Sequence, residues 1–184
     1  MVAAQIKGGA DVIQLREKTM SKREKLDLGR AIRNLTTHEG VLFIVNDDID
    51  LALILEADGV HLGQDDIPIQ YARPLMKDKI IGISTHSLDQ AREAIDSGAD
   101  YIGIGPAFKT ETKIKADPVV GVDLILEAEG LSSVPVIAIG GIGEENIDSL
   151  VSKGIKRVAI ISDILCSKDI EAKARALKKK LGSA

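Results

Sequence analysis

The sequence contains one cysteine, Cys166, and no tryptophan among 184 residues. A lone cysteine excludes an internal disulfide, and with no paired histidine it makes no case for a thiol nucleophile. A reducing cytoplasm is the compartment this predicts. Aromatic residues are 2% of the chain and the formal net charge is −4, so there is neither a base-stacking platform nor a field for a polyanion, and no nucleic-acid partner is expected. No apolar run reaches the ~18 residues of a membrane helix, and the N-terminal residues show no signal-peptide pattern, so no membrane partner is expected either. The three histidines, His38, His61 and His86, show no metal-ligand spacing. His61 lies inside an apolar run and reads as a buried, hydrogen-bonded side chain. His86 follows Ser84 and Thr85 at a strand end and reads equally as a site residue or a capping-region residue.

What the chain does have is an alternation of short Ile/Val runs with helical stretches. At 45% apolar and 28% charged residues, positions 1–184 read as one globular domain. Strand-like runs are VIQLR (Val12–Arg16), FIVN (Phe43–Asn46), GVHLG (Gly59–Gly63), IIGIS (Ile80–Ser84), YIGIGP (Tyr101–Pro106), VIAIGG (Val136–Gly141) and RVAIIS (Arg157–Ser162). The starts at Gly59, Ile80 and Tyr101 are 21 residues apart, as are Val136 and Arg157. Between the runs lie helical segments, one starting after a Ser21 N-cap and stopping at Gly40, another between Ser87 and Gly98. Such alternation predicts a parallel sheet covered by helices. Nearly every strand ends in polar or glycine-rich residues, which favours a (β/α)8 TIM-type barrel over a doubly wound sheet, whose site sits in one crevice. Seven strands are countable and the chain opens in a helix, so the barrel is expected to lack its first strand here. An unpaired edge is a surface for association, which leaves a homo-oligomer open.

The chemistry-bearing residues cluster at those strand ends. Asp47 follows the FIVN strand and Asp66 follows GVHLG; on neighbouring parallel strands their carboxylates would meet and suit Mg2+, a hard cation that takes one or two carboxylates plus phosphate oxygens. Read singly, each is more simply an aspartate of turn or N-cap chemistry, and it is the repetition on consecutive strands that brings the metal reading level with it. Gln14, Arg16 and Lys18 alternate at the end of the VIQLR strand, and a guanidinium fork beside an ammonium suits a diphosphate. The loop AFKTETKIKADPVVG, about fifteen residues, is longer than ordinary connections, is expected to act as a mobile lid, and carries Thr110, Thr112 and Lys113. Gly140 and Gly141 end what would be the seventh barrel strand and Ile161 and Ser162 the eighth, the usual place for a backbone-built phosphate cradle. Two poles emerge, one for a metal-bound diphosphate and one for a monophosphate.

The segments QLREK, VNDDIDLALILEADGVHLGQDD, IGISTHS, GIGPAFKTETK and AIGGI, in this order, resemble the thiamine phosphate synthase (thiamine-phosphate pyrophosphorylase) family over nearly the whole chain from Gly9. The resemblance implies a transferase that joins hydroxymethylpyrimidine diphosphate to thiazole phosphate and releases pyrophosphate. It further implies that Gln14 contacts the pyrimidine and that Arg16, Lys18, Asn46 and Lys113 hold the diphosphate. Asp47 and Asp66 would ligate Mg2+, and Ser84 would approach the reacting centre. Thr110, Thr112, Gly141, Ile161 and Ser162 would surround the thiazole phosphate. Ser84 and Lys113 are the candidate catalytic residues. In this family the C–O bond is thought to break first, giving a pyrimidine methyl cation. A thiazole tautomerase-like enzyme, echoed in Ser84–Ser87, and a non-catalytic phosphate-binding barrel are the alternatives.

Overall fold

The computed structural model describes residues 1–110 and 118–182. Among the described residues seven strands form: β1 (Val12–Leu15), β2 (Leu42–Asn46), β3 (Gly59–Leu62), β4 (Ile80–Thr85), β5 (Tyr101–Ile104), β6 (Val136–Ile139) and β7 (Val158–Ala159). Each pairs in parallel with the next, so that spatial order follows chain order. Around them lie α1 (Val2–Lys7), α2 (Lys22–Glu39), α3 (Ile49–Ile54), α4 (Ile69–Met76), α5 (Leu88–Asp96), α6 (Gly121–Leu131), α7 (Ile147–Val151), α8 (Ser162–Leu165) and α9 (Ile170–Leu181). The helix starts are set by side chains that satisfy orphan N–H groups. Ser21 and Glu24 form a reciprocal capping box at α2, Ser87 accepts from the Gln90 N–H at 3.2 Å, and Asp169 accepts from the Ala172 N–H at 2.9 Å.

Register gives the sheet two distinct faces. Ile13 pairs with Phe43, and Val60 with Val45 and Ile81, and these side chains are buried beneath the helices. The alternate row carries Gln14, Ile44, Gly59 and Ile80, then Asn46, His61, Gly82 and Tyr101, then Ser84 and Gly103. This second face is the inside of the barrel, since period-two alternation turns it away from the helices. Among the described residues no strand joins β7 to β1, and the inward residues Val12 and Leu42 are 47% and 43% exposed. The barrel is therefore curled but open at one seam, as the strand count predicted.

Helices span that seam on the outside. α1 lies against α9, the Arg175 guanidinium donates to the Lys7 carbonyl at 3.4 Å, and Lys178 pairs with Asp11 at 2.6 Å. Gly8 allows the close approach: a Cβ there would stand 2.5 Å from the Ala174 Cβ and 2.7 Å from the Glu171 carbonyl oxygen.

Several elements differ from the sequence reading. The last strand is Val158–Ala159 rather than Arg157–Ser162, because among the described residues it pairs only with β6, and Ser162 opens a helical turn instead. β6 ends at Ile139, before Gly140 and Gly141 turn through positive φ of 88° and 65°. The sequence reading names no helix between Gly63 and Ile80, yet α4 forms there and accommodates Pro74 in its last turn.

Gly8→Val should cost about 1–3 kcal/mol in denaturant unfolding, the scale of an overpacked contact. Gly130→Ala, exposed in α6 with nothing within 4 Å of its would-be Cβ, should instead be neutral or stabilising by roughly 0.5–1 kcal/mol.

Candidate active site

The C-terminal ends of β1 to β4 gather charge. The Asp47 N–H donates to the His61 carbonyl at 2.8 Å, extending the β2–β3 pairing by one residue. Asp47 then takes a φ of 64°, a left-handed conformation that Asp tolerates better than most residues. Lys18, from the loop after β1, forms an ion pair with its carboxylate. Asp66 folds back after β3, and its carboxylate accepts the Gly63 N–H at 2.6 Å. Partial burial, joined by the neighbouring Asp47 carboxyl, raises the pKa of Asp66 against the pull of the Gly63 N–H and Lys18. The Asp47 carboxyl thus lies close enough to disfavour the charged form of Asp66. A like-charge pair of this kind, opening on solvent at a strand edge, fits a divalent cation that completes its shell with water or phosphate oxygens. Among the described residues no group of three acidic, His or Cys side chains forms a fuller cage.

The neighbouring loop is held by a second layer of ions. Lys25 pairs with Asp48 at 2.8 Å and Lys22 with Asp50 at 2.7 Å, tying the start of α2 to the β2 loop. Arg16 is half-buried at the end of β1, and its charge, together with that of Asp47, is felt by His61. No described carboxylate pairs with Arg16, so its fork is available to an anion. Gln14 points from the inner row and is exposed; Asn46 is half-buried opposite His61.

Deeper in the barrel sits a polar triplet. His61 Nδ1 lies 2.8 Å from the Tyr101 hydroxyl and Nε2 lies 2.8 Å from the Ser84 hydroxyl. Glycines make the space: a Cβ at Gly82 would be 2.0 Å from the Tyr101 ring, and one at Gly103 would be 3.4 Å from the His61 ring. Burial, reinforced by Arg16 and opposed by Asp47, lowers the His61 pKa to about 4. The Gln64 side-chain amide donates to the Ser84 carbonyl at 2.7 Å, fixing the backbone of the same residue. His86 does not join this triplet; its Nδ1 meets the Gly105 carbonyl at 2.6 Å.

A separate cleft of about 710 Å3 opens at the ends of β6 and β7, lined by Thr110, Gly141, Ile161, Ser162 and their neighbours. Asn146 shapes its floor, donating to the Gly141 carbonyl at 2.8 Å and accepting the Gly143 N–H at 3.0 Å. The Glu144 N–H donates to Asp163 at 3.0 Å, which ties this turn to α8. Gly141 cannot carry a side chain, because a Cβ would lie 2.5 Å from the Lys109 carbonyl oxygen.

The structure therefore brings Asp47, Asp66, Lys18, Arg16 and Asn46 to one rim, with Ser84 below them. It brings Thr110, Gly141, Ile161 and Ser162 to one cleft. Thr112 and Lys113, with the expected lid from 111 to 117, lie outside the described residues. Sequence reasoning missed Tyr101, Gln64 and Asn146. The one available signal was Gly82, a small inward residue beside a strand carrying an aromatic.

A parallel α/β barrel with acids and cations at one group of strand ends and a glycine turn at the last two is the arrangement of phosphate-handling barrel enzymes. Within that class, the family model for thiamine monophosphate synthase matches residues 1–164, and the chain belongs to this family. It is 49% identical over 179 residues to the thiamine-phosphate synthase of Pelotomaculum thermopropionicum, covering 97% of this chain and 82% of that one. The thiamine-phosphate synthase of Shouchella clausii is 44% identical over 173 residues, covering 94% and 83%. Among solved structures, thiamine phosphate pyrophosphorylase from Pyrococcus furiosus superposes with a TM-score of 0.91 at 36% identity, covering 98% of this chain and 87% of that one. A 3-hexulose-6-phosphate synthase, at 19% identity and a TM-score of 0.73, shares the fold. Among the described residues no helix is long and apolar enough to cross a membrane.

The buried His61 makes stability depend on pH. Its folded pKa of about 4 lies below the ordinary 6.5, so between these values the unfolded chain binds the proton and the folded chain does not. Stability should fall as pH drops from 6.5 towards 4, by on the order of 3 kcal/mol from this residue. Denaturant midpoints measured across that range should show a steeper acid loss for the natural chain than for His61→Gln.

Proposed function

We propose that this chain acts as a thiamine-phosphate synthase, condensing hydroxymethylpyrimidine diphosphate with thiazole phosphate and releasing pyrophosphate. The observation that carries the reading is the adjacency of the Asp47 and Asp66 carboxyl groups beside Lys18 and Arg16. A thiazole tautomerase has no diphosphate to justify such a pair. The glycine-floored cleft at β6 and β7 supplies the second subsite.

Asp47 and Asp66 would hold Mg2+, which when bound neutralises charge on the leaving pyrophosphate. Arg16, Lys18, Asn46 and Lys113 hold the diphosphate oxygens, and Lys18 exchanges its bond to Asp47 for the substrate. Gln14 contacts the pyrimidine. Thr110, Thr112, Gly141, Ile161 and Ser162 surround the thiazole phosphate with hydroxyl and backbone donors. The C–O bond breaks with its electron pair leaving on pyrophosphate, and the thiazole nitrogen lone pair forms the new N–C bond. No proton changes hands. The site accordingly has no need of a general base, and its work is orientation and stabilisation of separating charge.

The test is pyrophosphate release from the two substrates with and without Mg2+, and release should require the metal. Asp47→Asn keeps the left-handed backbone while removing the charge, and should lower turnover by on the order of 10²-fold, as should Lys113→Ala. Turnover within threefold of the natural chain would remove either residue from the site. Metal-independent isomerisation of a thiazole phosphate would point to a tautomerase, and binding without turnover to a non-catalytic barrel.

A further inference from the structure

The hydrogen-bond partners of His61 define the direction in which Ser84 works. Tyr101 stacks on the imidazole, with ring centroids 5.5 Å apart, and its phenol is mostly buried. Burial raises the phenol pKa, so the O–H keeps its hydrogen. Among the described residues His61 Nδ1 is the one acceptor within reach of that hydrogen, at 2.8 Å. A buried donor left without an acceptor costs the full desolvation of the group, so the phenol donates to Nδ1. A neutral imidazole carries one donor and one acceptor. With Nδ1 accepting, the ring hydrogen sits on Nε2, which donates to Ser84 Oγ at 2.8 Å. The Ser84 oxygen is thereby engaged as an acceptor towards His61, and its own hydrogen is left for another acceptor.

We propose that Tyr101 and His61 are positioning residues that fix Ser84 as a one-way hydrogen-bond donor to the pyrimidine diphosphate substrate. This rests on the function proposed above and deepens it: neither Tyr101 nor His61 touches substrate, and both act through the serine hydroxyl. The relay runs Tyr101 O–H to Nδ1, Nε2–H to Ser84 Oγ, and Ser84 O–H to a substrate lone pair. Gly82 is required on this row because the Tyr101 ring occupies the volume a side chain there would need. In the opposite tautomer, Nδ1–H would donate to the phenol oxygen, the phenol hydrogen would be stranded, and Ser84 would spend its hydrogen on the histidine.

Long-range ¹H–¹⁵N NMR on the folded chain, without substrate or metal, reads the His61 tautomer directly. The Nε2–H form is expected; an Nδ1–H form overturns the assignment. Tyr101→Phe keeps the ring over Gly82 and removes the hydroxyl alone. It should lower kcat about tenfold, the effect of one misdirected hydrogen bond, with KM for the pyrimidine diphosphate nearly unchanged. Ser84→Ala should lose at least as much, and Tyr101→Phe added to Ser84→Ala should lose nothing further, because both changes remove the same bond. Losses that multiply in the double variant, or a Ser84→Ala enzyme as fast as the natural one, overturn the proposal while Mg2+-dependent pyrophosphate release would leave the proposed function standing. A natural chain that releases no pyrophosphate sinks that function, and the tautomer spectrum still decides the relay.

Discussion

The in-register pairing of β2, β3, β4 and β5 is the constraint on which this site depends. Val60, Ile81 and Ile102 are fully buried on the helix side of the sheet. Each contributes about 1.5–3 kcal/mol by leaving water, so sliding any strand by one residue would forfeit several kcal/mol. With the outer row pinned, the inner row has no freedom, and Asn46, His61, Gly82 and Tyr101 fall into line. The polar interior is a by-product of an apolar exterior. Helices on one side thus determine where hydrogen bonds can form on the other.

Electrostatics then divides the rim into permanent and exchangeable parts. Lys25 and Asp48 are largely shielded from solvent and hold the β2 loop against α2. Lys18 is about half exposed, and its pairing with Asp47 is the kind of surface contact that contributes little to stability. Its departure toward an incoming anion therefore costs the fold little. Asp66, disfavoured by burial and by Asp47, stands to gain most from an added positive charge.

The seven strands were legible because strands covered by helices are rich in Ile and Val, and the ends of α2 and α5 were legible from Ser21, Gly40 and Ser87. Asp47 and Asp66 were legible as a pair because both follow strands adjacent in the chain, and parallel order made them adjacent in space. Family resemblance, not spacing, supplied the chemistry. The length of β7 was not legible, since a strand's extent depends on its partners and here only β6 is present. α4 carries little signal of its own, since Pro68 at its start offers no side-chain cap and Pro74 lies inside its last turn. The Tyr101–His61 contact spans 40 residues and exists only through register, which no local pattern announces.

Gly141 turns so tightly beneath the Lys109 and Phe108 carbonyls that the floor of one subsite is also the footing of the segment leading to Thr110. A side chain placed at this one position would therefore disturb two things at once, the turn that closes the end of β6 and the backbone that leads to Thr110.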